Sequence, residues 1–279
     1  MSDTAYQTQY RQETIMGFED REELLRKTTT IESEVNGNQA VFLVADSGGA
    51  TAVTRGVNGD IPTRPDNLTQ YTATLAEWHD VPERTRFNIF ASQGDGRRIM
   101  QETSMAVINR KIKSDIYTAL NTATVTWGSA AVATLTLIAT AKTKLGNAFA
   151  LDEEPFAAIS PAMHGYMMTA STLQAAFANA DYVSDKKFEG VSKGRAFSWY
   201  GVNWIVDGGV TGAGTSSADC LMYARSAIGH AVDVEGIDTA VGYDQKNDKS
   251  WCRMSTFMGS KVLQNAGIVK MTHDDSALS

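Results

Sequence analysis

The sequence predicts an α+β fold, and three observations carry that expectation. A run over residues 93–121 places apolar side chains every three or four positions, the period of one buried helix face. The C-terminal half alternates short β-branched and aromatic runs with turn-forming residues, which is the pattern of strands. Between them, from Asp46 to about Leu68, the chain is punctuated by Gly48, Gly49, Gly56, Gly59, Pro62 and Pro65 and has little apolar content. A loop that long is uncommon inside a compact domain and usually makes external contacts. The 279 residues are 43% hydrophobic and 20% charged, an ordinary packed composition for one large domain or two modest ones.

Taken in order, the first thirty residues are polar and weakly amphipathic. Tyr6, Tyr10 and Phe18 are spaced to meet on a helix, and Leu24 and Leu25 follow the acidic cluster Glu19–Glu23. That stripe is too narrow to bury much alone, so a surface helix or an arm docked on a neighbouring molecule is expected. Thr28–Val35 then runs through Asn36-Gly37 into Gln39–Ala45, a hairpin signal because Asn-Gly suits a type I′ turn. After the long loop, Tyr71–Trp78 and Arg84–Ala91 read as an antiparallel strand pair. Ser92 and Asp95 have the spacing of a capping box. Behind them Met105, Ile108, Ile112, Ile116 and Leu120 form the stripe of a helix of about seven turns. Its polar face is expected to carry Arg97, Arg98, Glu102, Arg110, Lys111, Lys113 and Asp115.

A second helix is expected near Val132–Leu145, closed by Gly146-Asn147. Phe156–Ile159 reads as a buried strand, and Ser160-Pro161 as an N-cap with proline at the first helical position, opening Ala162–Met168. Ser171–Ala178 is a further short helix. Arg195–Val206 is a strand pair or a strand bent at Gly201, and strands follow at Cys220–Ala224, Val232–Gly242, Trp251–Leu263 and Gly267–Met271.

Composition excludes several classes of function. A net charge of −7 and a pI near 5.2 argue against gripping nucleic acid through bulk positive charge. Two cysteines make no disulfide framework, so a reducing compartment is expected. No run approaches the roughly 20 apolar residues that span a bilayer. Asp46-Ser47-Gly48-Gly49 resembles a protease nucleophile loop only superficially, since no histidine precedes His79. Gly208–Gly214 lacks the order and the following Lys of a phosphate loop and reads as a flexible surface loop. His79, His164, His230 and His273 never fall at metal-binding spacings, and no Cys-x-x-Cys pair exists. Cys220 and Cys252 sit in strand-like runs as buried free thiols, and the acidic trio Asp152-Glu153-Glu154 reads as a solvated loop. No catalytic site, cofactor or metal is expected. An arm and a long protruding loop that one monomer cannot satisfy point instead to an assembly protein.

The order of elements resembles the major capsid proteins of tailed bacteriophages, with the Hong Kong 97-type fold. Val35–Phe42 resembles the strand leading into their extended E-loop, and Gln93–Asn121 their long spine helix. Phe156–Ala162 resembles a strand-then-helix of their axial domain, and Cys220–Val232 and Phe257–Lys270 resemble their central and closing strands. The resemblance implies an N-terminal arm (1–29) and an E-loop (46–91). It also implies a peripheral domain (30–45, 92–127, 245–279) and an axial domain (128–244). It further implies a non-enzymatic coat protein that assembles as hexamers and pentamers into an icosahedral head shell around packaged double-stranded DNA. The expected location is the virion, with assembly in the host bacterial cytoplasm, and the expected partners are a separate scaffolding protein, a portal and a decoration protein. No membrane partner is implied.

One departure is informative. The type member cross-links an E-loop lysine, and this chain has no lysine between Lys27 and Lys111. Contacts between subunits are then expected to be non-covalent, with Arg55, Asp60, Arg64, Arg84, Arg86, Tyr6 and Tyr10 as candidates. The alternatives are an encapsulin-like nanocompartment shell, a tail or neck structural protein, and a soluble α+β enzyme with an unrecognised site.

Overall fold

The computed structural model describes residues 24–32, 35, 37–47, 49–64, 67–91, 96–177, 183–184 and 195–278. Tyr6, Tyr10, Phe18 and the Ser92–Asp95 capping box lie outside them. The described chain opens with Leu24 buried and a 3₁₀ turn, Leu25–Thr28. It continues through β1 (Thr30–Glu32), β2 (Gln39–Asp46), β3 (Asn67–Thr74), β4 (Ala76–Asp80), β5 (Glu83–Thr85), α1 (Arg86–Ala91) and α2 (Gly96–Leu120). Then follow α3 (Leu135–Asn147), β6 (Pro155–Ile159), α4 (Pro161–Thr169), α5 (Ser171–Phe177), β7 (Val183–Ser184), β8 (Ala196–Trp199) and β9 (Val202–Val206). The last strands are β10 (Ala218–Ala224), β11 (Ile228–Asp244), β12 (Lys249–Val262) and β13 (Ile268–His273).

The strands form three sheets. One runs β1-β11-β12-β4, with β5 paired further along β12, and a second runs β13-β10-β6-β9-β8-β7. The third is the isolated pair β2-β3. α2 spans the two larger sheets, because its stripe of Ile108, Ile112, Ile116 and Leu120 joins one continuous core with Trp199, Trp204, Tyr223 and Met258. β11 lies beside β12, and β13 lies beside β10.

Most elements fall where periodicity placed them, with instructive exceptions. The expected hairpin of Thr28–Val35 with Gln39–Ala45 is replaced among the described strands: β1 pairs in parallel with β11, and β2 pairs over its whole length with β3. Long-range partners outcompete the local turn because β2 buries Ala40 and Phe42 against Ala73 and Ala231. The expected pairing of 71–78 with 84–91 is also replaced. β4 and β5 both use β12 as their partner, and the chain beyond Thr85 turns helical instead of continuing as a strand.

α3 starts one residue after its N-cap Thr134, whose side chain accepts from Leu137 N–H. It ends at Asn147, and glycine at 146 makes room for Leu151, whose Cδ1 a Cβ there would meet at 3.1 Å. At α4 the expected cap is present, with Ser160 Oγ accepting from Met163 N–H and Pro161 at the first position. β8 and β9 are joined at Tyr200-Gly201, both in the left-handed region, as a tight hairpin turn requires.

Candidate assembly surfaces

The β2–β3 arm is the most exposed part of the described chain. Its root is a small separate core of Val35, Ala40, Phe42, Ala73, Ala231 and Leu263. Phe42 lies flat on β11 at Gly229, where a Cβ would fall 2.7 Å from the ring, so only glycine admits this contact. Alternation along β2 then turns Val41 and Leu43 outward, and Leu68 of β3 is exposed beside them. Asn67 Nδ2 donates to Asp46 Oδ1 across the mouth of the loop, and Arg64 Nη1 donates to Ser47 C=O. Beyond that, every described residue from 49 to 64 is exposed, including Val53, Val57 and Ile61. The tip is closed only by its own turn, Gly56 N–H to Asp60 C=O.

The structure brings the candidate contact residues together only in part. Arg55 and Asp60 lie on the exposed loop, as does Arg64. Arg84 and Arg86 sit elsewhere, at β5 and the start of α1, beside the β11–β12 hairpin: Arg86 N–H donates to Asp248 C=O. Phe87 is exposed next to them. By contrast the last residues of the expected arm are tied into the body, with Leu24 and Leu25 buried and Thr28 Oγ1 2.5 Å from the Tyr223 hydroxyl.

Three polar networks lock the body. Lys113, expected on the polar face of the long helix, is instead buried. Its ammonium lies 3.0 Å from Asp207 Oδ1 at the end of β9. Asp207 also accepts from Tyr117 Oη (2.9 Å) and Gly209 N–H (2.8 Å). Burial and the neighbouring Asp207 raise the Tyr117 hydroxyl well above its ordinary pKa, so it stays a neutral donor. Outside this floor, α2 and the loop after β9 enclose a cleft of about 600 Å³. In the second network Asp115 of α2 accepts from Ser260 Oγ (2.6 Å) on β12, and Ser260 meets His230 Nδ1 of β11 (3.0 Å). In the third, Asp275 accepts from Ser160 Oγ and Gly214 N–H, each at 2.9 Å, and lies 2.6 Å from His273 Nδ1. The Gly208–Gly214 stretch is therefore a pinned turn with Val210 buried, not the flexible surface loop its composition suggests.

Sequence reasoning missed Asp207 and Asp275 altogether. A signal for the first existed: Lys113, Tyr117 and Leu120 recur at helical spacing beside the apolar stripe. None of these networks offers an exposed nucleophile. Ser160 is buried and capping a helix, and burial pushes the Cys220 thiol up to about 12. Among the described residues no cluster of His, Cys, Asp or Glu could hold a metal ion, and no helix is long and apolar enough to cross a membrane.

Comparison with known proteins bears on this architecture directly. Solved structures of phage particles share the fold over nearly the whole length of both chains. The chain from Mycobacterium phage Che8 matches with a TM-score of 0.70 at 12% identity, covering 97% of this chain and 98% of that one. The capsid of Ralstonia phage GP4 matches at 0.71 and 12% identity, covering 98% and 96%. The capsid of a native GTA particle matches at 0.68 and 14% identity, covering 98% and 97%. At such identities the likeness is one of fold, and it is the Hong Kong 97-type fold expected from the sequence. A search of curated protein sequences finds no match. The family model described as phage capsid protein matches residues 2–275. With a protruding two-stranded arm, a long helix spanning two sheets and this match over nearly its full length, the chain belongs to the phage capsid protein family and is a major capsid protein, a structural subunit of a virion shell.

Proposed function

We propose that this subunit builds the icosahedral head of a tailed phage around double-stranded DNA, in hexamers and pentamers tied together by the β2–β3 arm. The observation that carries the reading is the loop of residues 49–64, exposed at every described position. An ordered loop with Val53, Val57 and Ile61 in water gains its stabilisation from a surface outside its own chain. In this reading the loop is the outer part of the E-loop (46–91), lying across a neighbouring subunit, and 1–29 is the N-terminal arm, tied to the body at Leu24–Thr29. The peripheral domain is α2 with the five-stranded sheet, and the axial domain is the six-stranded sheet with α3, α4 and α5. Relative to a division at 127 and 244, this moves β11 to the former and β13 to the latter.

Arg55, Asp60 and Arg64 are the proposed polar contacts of the loop, and Arg84 and Arg86 those of the body edge. Tyr6 and Tyr10 are the proposed contacts of the arm. With no lysine between Lys27 and Lys111, the loop forms no isopeptide bond, and the shell is held non-covalently. The acidic balance suits a container that confines DNA without binding it tightly. Assembly takes place in the bacterial cytoplasm with a scaffolding protein and a portal, and a decoration protein is a candidate for reinforcing the shell.

The test is electron microscopy of the purified wild-type chain beside a variant lacking Asn58–Asn67. Closed shells or capsomer rings from the wild type, and a folded but unassembled variant by circular dichroism and sedimentation, are expected. Normal shells from the deletion variant would refute the role given to the loop.

A further inference from the structure

The end of α3 carries an outlier. Phe149 N–H donates to Gly146 C=O and Ala150 N–H to Leu145 C=O, both at 3.0 Å, which together make a Schellman motif. That motif places the residue after the cap in the left-handed region, where glycine fits freely and a Cβ is crowded by the following carbonyl. The residue here is Phe149, with φ of +56°. A bulky side chain in that conformation is uncommon enough to need a reason.

The two other described non-glycine residues with positive φ have local reasons. Tyr200 occupies a tight hairpin turn, where Lys142 Nζ sits 4.3 Å from its ring centroid and donates to its carbonyl. Asp248 is of a residue type that tolerates the conformation, and its carboxylate accepts from the Tyr243 hydroxyl. Phe149 has neither. Its side chain is 82% exposed and makes no ring contact among the described residues. Strain retained around a solvent-exposed ring points to a use outside the monomer, because strained positions persist where function demands them.

We propose that Phe149 is an anchor between copies of this chain, its ring held out by the strained turn to seat on a second copy in the shell. This rests on the shell-subunit reading. Charge favours a second copy as the occupant. The ring is followed by exposed Asp152, Glu153 and Glu154, with Glu153 accepting from Ser226 N–H, and a basic receiving surface complements this acidic run. A cleft of net positive charge lies between α2 and the loop after β9, where Arg110, Arg195 and the Lys113–Asp207 pair accompany Val206, Thr118 and Thr211. At about 600 Å³ that cleft is large enough for a phenyl ring. An exposed aromatic side chain is also a characteristic binding hot spot.

Phe149→Gly tests this because it relaxes the turn while removing the ring. The dispersed subunit is expected to melt at the wild-type temperature or above, and its shell yield to fall at least tenfold. Phe149→Asn, which also suits the left-handed region, should behave alike. A benzoyl-phenylalanine photo-cross-linker placed at 149 in assembled particles should capture a second copy. Shells from Phe149→Gly at wild-type yield, a lowered melting temperature in both variants, or capture of a different protein would overturn the proposal. Failure of the wild-type chain to form particles would instead remove the shell reading on which it rests.

Discussion

Replacing Asp207 by alanine probes the strongest constraint on how α2 sits against the six-stranded sheet. The carboxylate is nearly buried and receives three donors: Lys113 Nζ at 3.0 Å, Tyr117 Oη at 2.9 Å and Gly209 N–H at 2.8 Å. Without it, Lys113 loses its carboxylate partner in a site where its side chain is only 7% exposed. Removing one partner of a buried pair costs about 3–5 kcal/mol. With a urea m-value near 3 kcal/mol/M for a chain of this length, the unfolding midpoint of the dispersed subunit should drop by about 1–1.7 M. Tryptophan fluorescence reports the transition, since Trp199 and Trp204 are buried in the shared core.

The double variant Lys113→Met with Asp207→Leu separates charge burial from lost packing. It removes the acceptor of the Tyr117 hydroxyl and of Gly209 N–H, a cost of about 1–3 kcal/mol each that Asp207→Ala shares, but it leaves no ammonium behind. It should therefore be more stable than Asp207→Ala alone. A loss below about 1 kcal/mol for Asp207→Ala, or a double variant less stable than that single one, would refute the claim that this pair is a desolvated ionic post.

Two further expectations follow from other buried groups. Burial, and secondarily the Arg26 guanidinium, hold the His230 imidazole at about 4, below its ordinary 6.5. Between those values the unfolded chain binds the extra proton, so stability falls as pH drops, by about 3 kcal/mol in all by pH 4. Urea titrations at pH 7 and pH 4 should show that loss in the wild type and a smaller one in His230→Gln, whereas equal losses would contradict it. Cys220 and Cys252 are free and buried, and burial raises both thiols, so neither should react with a thiol reagent at pH 8 until the chain is unfolded. Rapid labelling of the folded subunit would contradict their placement.

The elements legible in the sequence were those whose signal is local and repeated. α2 declared itself through Ile108, Ile112, Ile116 and Leu120, and α4 through Ser160-Pro161, because a helix face and a cap are each built from neighbouring residues. The long loop was legible for the complementary reason, since glycine and proline without apolar periodicity leave nothing to pack. Pairing partners were not legible. Asn36-Gly37 offered a hairpin worth only a local turn, while β1 and β2 gained more from β11 and β3, distant in sequence. The close of α3 at Asn147 was legible, but its left-handed residue was not: Gly146 serves the approach of Leu151, and that position falls to Phe149.

The sequence by itself thus determined the class, the long helix, the exposed loop, the absence of a recognisable catalytic motif and the resemblance to phage coat proteins. These depend on composition, period and order along the chain. Only the tertiary structure decided which strands share a sheet, that Lys113 turns inward to Asp207, and that Asp275 pins the Gly208–Gly214 turn. The physical reason is the same in each case. A buried charge or a strand edge is satisfied by whatever the fold brings within about 3 Å, and a single sequence records no pattern for partners tens of residues apart.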